Sequence, residues 1–117
     1  MEDTIIIDGL EIWPKDLGKM PWQEATTEVA KLGPGWRLPT IEELRYTLYP
    51  SRSGILGLDV TGKYYWSSTE NDNYNAWYFY FTNEYANSIT NKSNTGYVRA
   101  VRDFTWEAAL EYLLKDF

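Results

Sequence analysis

Gly35-Trp36-Arg37-Leu38-Pro39-Thr40, followed at once by Ile41-Glu42-Glu43-Leu44, is the stretch from which the fold can be read. Thr40 and Glu43 stand three apart, the spacing of a capping box. The threonine hydroxyl accepts from the Glu43 N–H, and the Glu43 carboxylate reaches back to the Thr40 N–H. A helix is therefore expected over residues 41–48, burying Ile41, Leu44 and Leu48, with Pro50 closing it.

Upstream, Gly33-Pro34-Gly35 ends an earlier helix that opens at Pro21-Trp22. Pro21 suits the first helical position, where a missing N–H costs nothing. Trp22, Ala25, Val29 and Leu32 fall on one apolar stripe, and Gly33 suits a left-handed cap. Further back, Thr4-Ile5-Ile6-Ile7 reaches Asp8-Gly9 and returns through Leu10 and Ile12, a hairpin signal.

Downstream of Pro50, residues 51–62 are rich in Gly and Ser and read as a loop. Aromatic strands follow, Tyr64-Tyr65-Trp66 and Ala76 to Phe81, around a polar loop at residues 70–75. Residues 83–96 are mostly Asn, Ser, Thr and Tyr. In Tyr97-Val98-Arg99-Ala100-Val101-Arg102 the valines break strict alternation, so a bulge or a strand buried on both sides is expected. Residues 105–117 read as an amphipathic helix appended to a domain of residues 1–104, its apolar face carrying Trp106, Leu110, Leu113 and Phe117. Helices and strands segregate along the chain, which predicts an α+β domain with an antiparallel sheet.

Composition narrows the function. The 117 residues allow one domain and one core, and they contain no Cys and no His. Disulfides, thiolate metal sites, cysteine nucleophiles and the usual neutral-pH base are all missing, which speaks against an enzyme. A net charge of −6 disfavours nucleic acid as a partner. The acidic N-terminus has no signal-peptide pattern, and no apolar run is long enough to insert in a membrane. The expected location is a cell surface or virion for a binding module, and otherwise the cytoplasm. The chain has six Trp and ten Tyr, more than so small a core can hide, so some should lie on a surface.

Four ordered blocks resemble one family. They are Met20-Pro21-Trp22 through Glu42-Glu43-Leu44, Tyr65-Trp66-Ser67-Ser68-Thr69-Glu70, Ala76-Trp77-Tyr78 with Phe81, and Val98-Arg99-Ala100-Val101-Arg102. Together they are similar to the bacterial Lcl-type C-terminal domain family, named after a collagen-like adhesin and a branch of the C-type-lectin-like fold. The resemblance implies two helices on a twisted antiparallel sheet with long loops. It implies core roles for Trp36, Leu38, Trp66 and Trp77, and pairing of Arg37, Arg99 and Arg102 with Glu42, Glu43 or Glu70. Formylglycine-generating enzymes share the Arg-Leu-Pro-Thr signature, but their chemistry resides in cysteines that this chain lacks. The calcium tripeptides of sugar-binding C-type lectins are also absent. Glu70, Asn71, Asp72 and Asn73 form the one dense oxygen cluster, which reads as a solvated loop rather than a cation site.

A ligand face is expected in residues 71–95, whose Tyr, Asn, Ser and Thr match the composition of antibody loops. Asn73, Tyr74, Tyr78, Tyr80, Asn83, Tyr85, Asn87 and Asn91 are the candidate binding residues, with no metal and no cofactor. The leading reading is a non-catalytic adhesion or ligand-binding module for a glycan or protein surface. A structural or assembly subunit of a phage particle or surface complex is the alternative, with Trp106, Leu110, Leu113 and Phe117 as a homo-oligomer contact. A variable binding protein diversified by a retroelement would show the same residue mixture, and a carboxylate-pair glycosidase on Glu70 and Asp72 is the third class considered.

Overall fold

The computed structural model describes residues 4–55, 57–58, 62–82 and 87–105, with residues 110 and 114. It is an α+β arrangement of two sheets with short helices packed between and beside them. Strands β1 (Ile5–Ile7), β2 (Leu10–Ile12) and β8 (Val101–Asp103) form a small antiparallel sheet in the order β1-β2-β8. Strands β3 (Lys19–Pro21), β4 (Tyr64–Glu70), β5 (Asn75–Tyr80), β6 (Asn87–Asn91) and β7 (Thr95–Tyr97) form the larger one, ordered β3-β7-β4-β5-β6. Its β4–β7 pair is parallel, so the sheet is mixed rather than wholly antiparallel as expected.

The locally encoded elements form as read. Asp8 and Gly9 both take positive φ, 52° and 77°, which is the turn geometry that matches strand twist and joins β1 to β2. Helix α1 (Trp22–Ala30) buries Ala25 and Val29, with Trp22 and Leu32 half-buried beside them. Pro21 lies one position earlier than expected: it is the N-cap, in extended backbone, and also ends β3. Gly33 has φ 128°, beyond the end of the helix.

The capping box is present in both directions: Glu43 N–H donates to Thr40 Oγ1 at 3.1 Å, and Thr40 N–H to Glu43 Oε1 at 2.8 Å. The expected helix over residues 41–48 differs in its second half. Helix α2 (Ile41–Glu43) widens into a π-helical turn, Leu44–Leu48, closed by the Tyr49 N–H donating to the Leu44 carbonyl at 2.9 Å. Leu44, Leu48 and Tyr49 are all buried, and a turn wide enough to bring residues i, i+4 and i+5 onto one face accomplishes this.

The larger sheet is covered on both sides. Leu44, Leu48, Tyr49, Phe79 and Phe81 pack on one face with Tyr65, joined by Ile55 and Leu58. Those last two come from the segment read as a plain loop, which instead holds a short helical turn, Arg52–Gly54, and adds to the core. The other face packs α1 against Trp66, Ala76, Val98 and Ala100, with Trp36 and Leu38. Trp36, Leu38 and Trp66 are core residues as expected, but Trp77 is not. It is only half-buried, because it pairs with Ile89 on edge strand β6, where Ile89 is 40% exposed.

Residues 97–102 are not one bulged strand. Tyr97 ends β7 in the large sheet, Val101 starts β8 in the small one, and Val98, Arg99 and Ala100 are buried while crossing between them. The crossing explains the broken alternation. Arg37 bonds Val101 in both directions at 2.9 Å, fastening the 35–44 block to the crossing. A Cβ on Gly35, whose φ is 85°, would stand 3.2 Å from both Cγ and Cδ of Arg102, so the backbone packs closely on that side chain.

The three motif arginines are all paired, one with an expected partner and two with others. Arg37 holds Glu43 through two bonds at 2.7 and 2.9 Å, as expected, and adds Asp103 at 2.7 Å. Arg99 instead takes Asp16, and Arg102 takes Glu11 while stacking on Trp36. Glu70 pairs with Lys92, and Glu42 is exposed.

Burial alone would push the Glu43 carboxyl up, yet the Arg37 guanidinium and the Thr40 bonds together hold it below its ordinary 4.5. A carboxylate with a lowered folded pKa stabilises the fold above its unfolded pKa, and that contribution is lost as pH falls through the folded value. Stability should therefore decline as pH falls below the ordinary carboxylate value of 4.5. Thermal unfolding followed by circular dichroism should show a shallower acid slope for Glu43→Gln; an identical slope would remove Glu43 from the acid response.

Candidate functional site

Alternation along β4 and β5 builds an aromatic ladder on the face that also carries α1. Trp66 lies opposite Tyr78, and Tyr64 opposite Tyr80, in the antiparallel register. Ring centroids are 6.4 Å apart for Trp66–Tyr78, 5.2 Å for Tyr64–Tyr78 and 6.0 Å for Tyr64–Tyr80. The ladder runs from full burial at Trp66, 1% exposed, to solvent at Tyr80, 38% exposed. Cross-strand aromatic pairs of this kind stabilise the sheet and hold each other's orientation.

Beside the ladder is a hollow of about 280 Å³ lined by Tyr64, Tyr78, Thr90, Asn94 and Thr95. Thr90 comes from β6, where it pairs with Ala76 and so shares the Tyr78 face. Asn94 and Thr95 come from the turn into β7. That turn is organised by Asn91, whose side-chain oxygen accepts from the Ser93 N–H at 2.9 Å and the Ser93 hydroxyl at 2.7 Å. The Asn94 amide donates to Thr90 Oγ1 at 2.7 Å, joining the two polar walls. Lys19 stands at the Tyr64 end, its ammonium 5.7 Å from the Tyr64 ring centroid and 5.6 Å from that of Tyr97.

Of the eight residues expected to bind, Tyr78 and Tyr80 meet at this face. Asn73 and Tyr74 lie at the exposed tip of the β4–β5 loop, Tyr74 being 74% exposed. The tip is tied to the hollow's turn: Lys92 N–H donates to the Tyr74 carbonyl at 2.8 Å and Lys92 Nζ to the Asn73 carbonyl at 3.2 Å. Asn87 pairs with Phe79 and so faces the other side of the sheet. Asn91 shapes the turn with its side chain. Asn83 and Tyr85 lie outside the described residues, as do Trp106, Leu113 and Phe117 of the proposed oligomer contact; Leu110 is described and is 54% exposed.

Tyr64, Thr90, Asn94 and Thr95 were not singled out from the sequence. Period-two alternation from Trp66 does place Tyr64 on the Tyr78 face, so that signal was available. The other three needed the register of β6 and the turn.

In the acidic loop the Asp72 carboxylate is bonded within the loop itself. Asp72 Oδ1 accepts from the Tyr74 and Asn75 N–H groups, both at 2.8 Å, and from the Asn75 amide at 3.1 Å. The Tyr74 N–H, and then the Asn75 amide, hold the Asp72 carboxyl below the usual range. Among the described residues, no group of three or more acidic side chains is placed to hold a metal ion. No helix among them is long and apolar enough to cross a membrane.

No curated protein matches the chain. A family model does, over residues 8–102, a span that includes the whole five-stranded sheet, both helices and the tyrosine hollow. On that match the chain belongs to the Lcl C-terminal domain family.

Proposed function

We propose that this chain is a non-catalytic, metal-independent ligand-binding or adhesion module with a C-type-lectin-like fold, and that the Tyr64–Tyr78–Tyr80 ladder is its recognition face. The observation that carries the reading is the ladder itself: rigid tyrosines beside a hollow of hydroxyls and an amide. Tyrosine gives contact area at low entropic cost, and the small polar groups give adaptable hydrogen bonds. Of the carboxylates nearest in sequence to this face, Glu70 pairs with Lys92 and Asp72 is bonded within its own loop, while Glu84 lies outside the described residues.

Paired glycan and protein arrays test the reading. The whole chain should find a binder, and Tyr80→Ala should abolish it. Tyr80 is exposed and lies outside both core clusters, so near-ultraviolet circular dichroism should stay native apart from the missing tyrosine. A binder insensitive to Tyr80→Ala and Tyr78→Phe, or no binder on either array, would overturn it.

The second reading, a structural or assembly subunit of a phage particle or surface complex, rests on Leu110 and Leu114. These stand one helical turn apart and are 54% and 63% exposed, an apolar pair suited to a second copy.

A further inference from the structure

The lining of the tyrosine hollow restricts the chemistry of what fits there. At about 280 Å³ it is at the lower edge of the roughly 300–1,000 Å³ that hold drug-sized ligands. One small ring enters, and a folded partner needing about 800 Å² of contact would have to draw most of it from elsewhere. One wall is aromatic: the Tyr64 and Tyr78 rings meet at 58°, an angled pair of apolar faces edged by phenol hydroxyls. The rest of the lining, Thr90, Asn94 and Thr95, is polar and uncharged. These groups are held in place, Thr90 by the β6 ladder and Asn94 by its N–H donating to the Asn91 carbonyl at 3.0 Å.

A proline ring or an aliphatic side chain would satisfy the tyrosines but strip water from Thr90, Asn94 and Thr95 without replacing its hydrogen bonds, which is unfavourable. The five lining residues carry no charge. Lys19, at the Tyr64 end, lies 5.7 Å from that ring's centroid and is shared with Tyr97, so an ionic ligand has no opposite charge within the hollow itself. What matches both parts of the lining is a small uncharged ring with one apolar face and a rim of hydroxyls.

We infer that the hollow is a subsite for a single uncharged hexopyranose residue of a glycan. Its C–H face rests on Tyr64 and Tyr78, and its hydroxyls bond Thr90, Asn94 and Thr95. This rests on the binding reading above and narrows it to one ligand class.

The test is an amide-resolved titration of the isotope-labelled full chain with methyl glycosides of glucose, galactose and mannose and with N-acetylglucosamine. Glucuronate and a proline-rich peptide serve as contrasting probes. At least one neutral glycoside should move the Thr90, Asn94 and Thr95 amides and the Asn94 side-chain amide, equally with and without EDTA. Asn94→Ala, at an exposed turn position, and Tyr64→Ala should each weaken that binding about tenfold or more, a change of 1.4 kcal/mol. The inference is overturned if only glucuronate or the peptide moves these amides, or if neutral glycosides act unchanged on Asn94→Ala. Where no saccharide moves them but an array protein is lost with Tyr80→Ala, the sugar subsite fails and the binding reading survives. Silence in both experiments removes both.

Discussion

Arg99→Ala should destabilise the domain by about 3–5 kcal/mol, the usual cost of breaking a buried ion pair from one side. Arg99 is 1% exposed, and its Nε and Nη2 reach Asp16 Oδ1 at 2.9 and 2.8 Å. Asp16 is itself shared: the Tyr65 hydroxyl donates to its two oxygens at 3.0 and 2.9 Å, and Lys63 lies 3.2 Å away. Burial first, and then the Asp16 charge, push the Tyr65 phenol far above its ordinary value, so it remains a donor throughout the accessible pH range. The cluster ties the 13–18 segment, β4 and the crossing between the two sheets at one point. Nη1 of Arg99 adds a bond to the Trp13 carbonyl at 3.0 Å.

A domain of this size has about 5–15 kcal/mol in total, so urea unfolding should show a much lower midpoint or no folded baseline. The double variant Asp16→Asn/Arg99→Met should be more stable than Arg99→Ala, because neither side is then left charged and unpaired. A single-variant cost below about 1 kcal/mol would reduce the cluster to the standing of a surface ion pair.

That cluster also marks where sequence reading reached its limit. Arg99 and Asp16 are 83 residues apart, and nothing local connects them. The partners implied by the family resemblance were Glu42, Glu43 and Glu70, and of these only Glu43 proved to be one. Local rules succeeded where the bond partners are local: the Asp8-Gly9 hairpin, the α1 stripe and the Thr40–Glu43 box all form. Ile55 and Leu58 were missed because an irregular segment has no period to expose its buried positions. The binding face divides in the same way. Tyr78 and Tyr80 follow from strand composition and Tyr64 from alternation, whereas Thr90, Asn94 and Thr95 depend on how β6 and its turn fold back onto β5.

Trp66→Ala should cost about 3–5 kcal/mol and remove the proposed recognition face with it. The indole is 1% exposed, its Nε1–H donates to the Met20 carbonyl at 2.9 Å, and its ring supports Tyr78 at 6.4 Å. Losing it opens a cavity beneath the ladder and frees Tyr78 to leave the hollow's wall. The position is also confined from the other side. A Cβ on Gly96 would stand 2.9 Å from Nε1 and 3.0 Å from Cδ1 of that indole, contacts that real side chains do not tolerate. Gly96 has no positive φ, so its requirement is for space rather than for backbone freedom. Gly96→Ala should accordingly cost about 1–3 kcal/mol by overpacking. In a Trp66→Phe background, where the smaller ring leaves room, the same substitution should cost clearly less. Denaturant midpoints around this cycle measure the coupling. Additivity within about 0.5 kcal/mol would mean that Gly96 and Trp66 do not meet as described. Coupling, together with saccharide binding lost in Trp66→Ala but kept in Trp66→Phe, would place the wall of the site on the core, with Tyr78 oriented by a residue that never reaches the ligand.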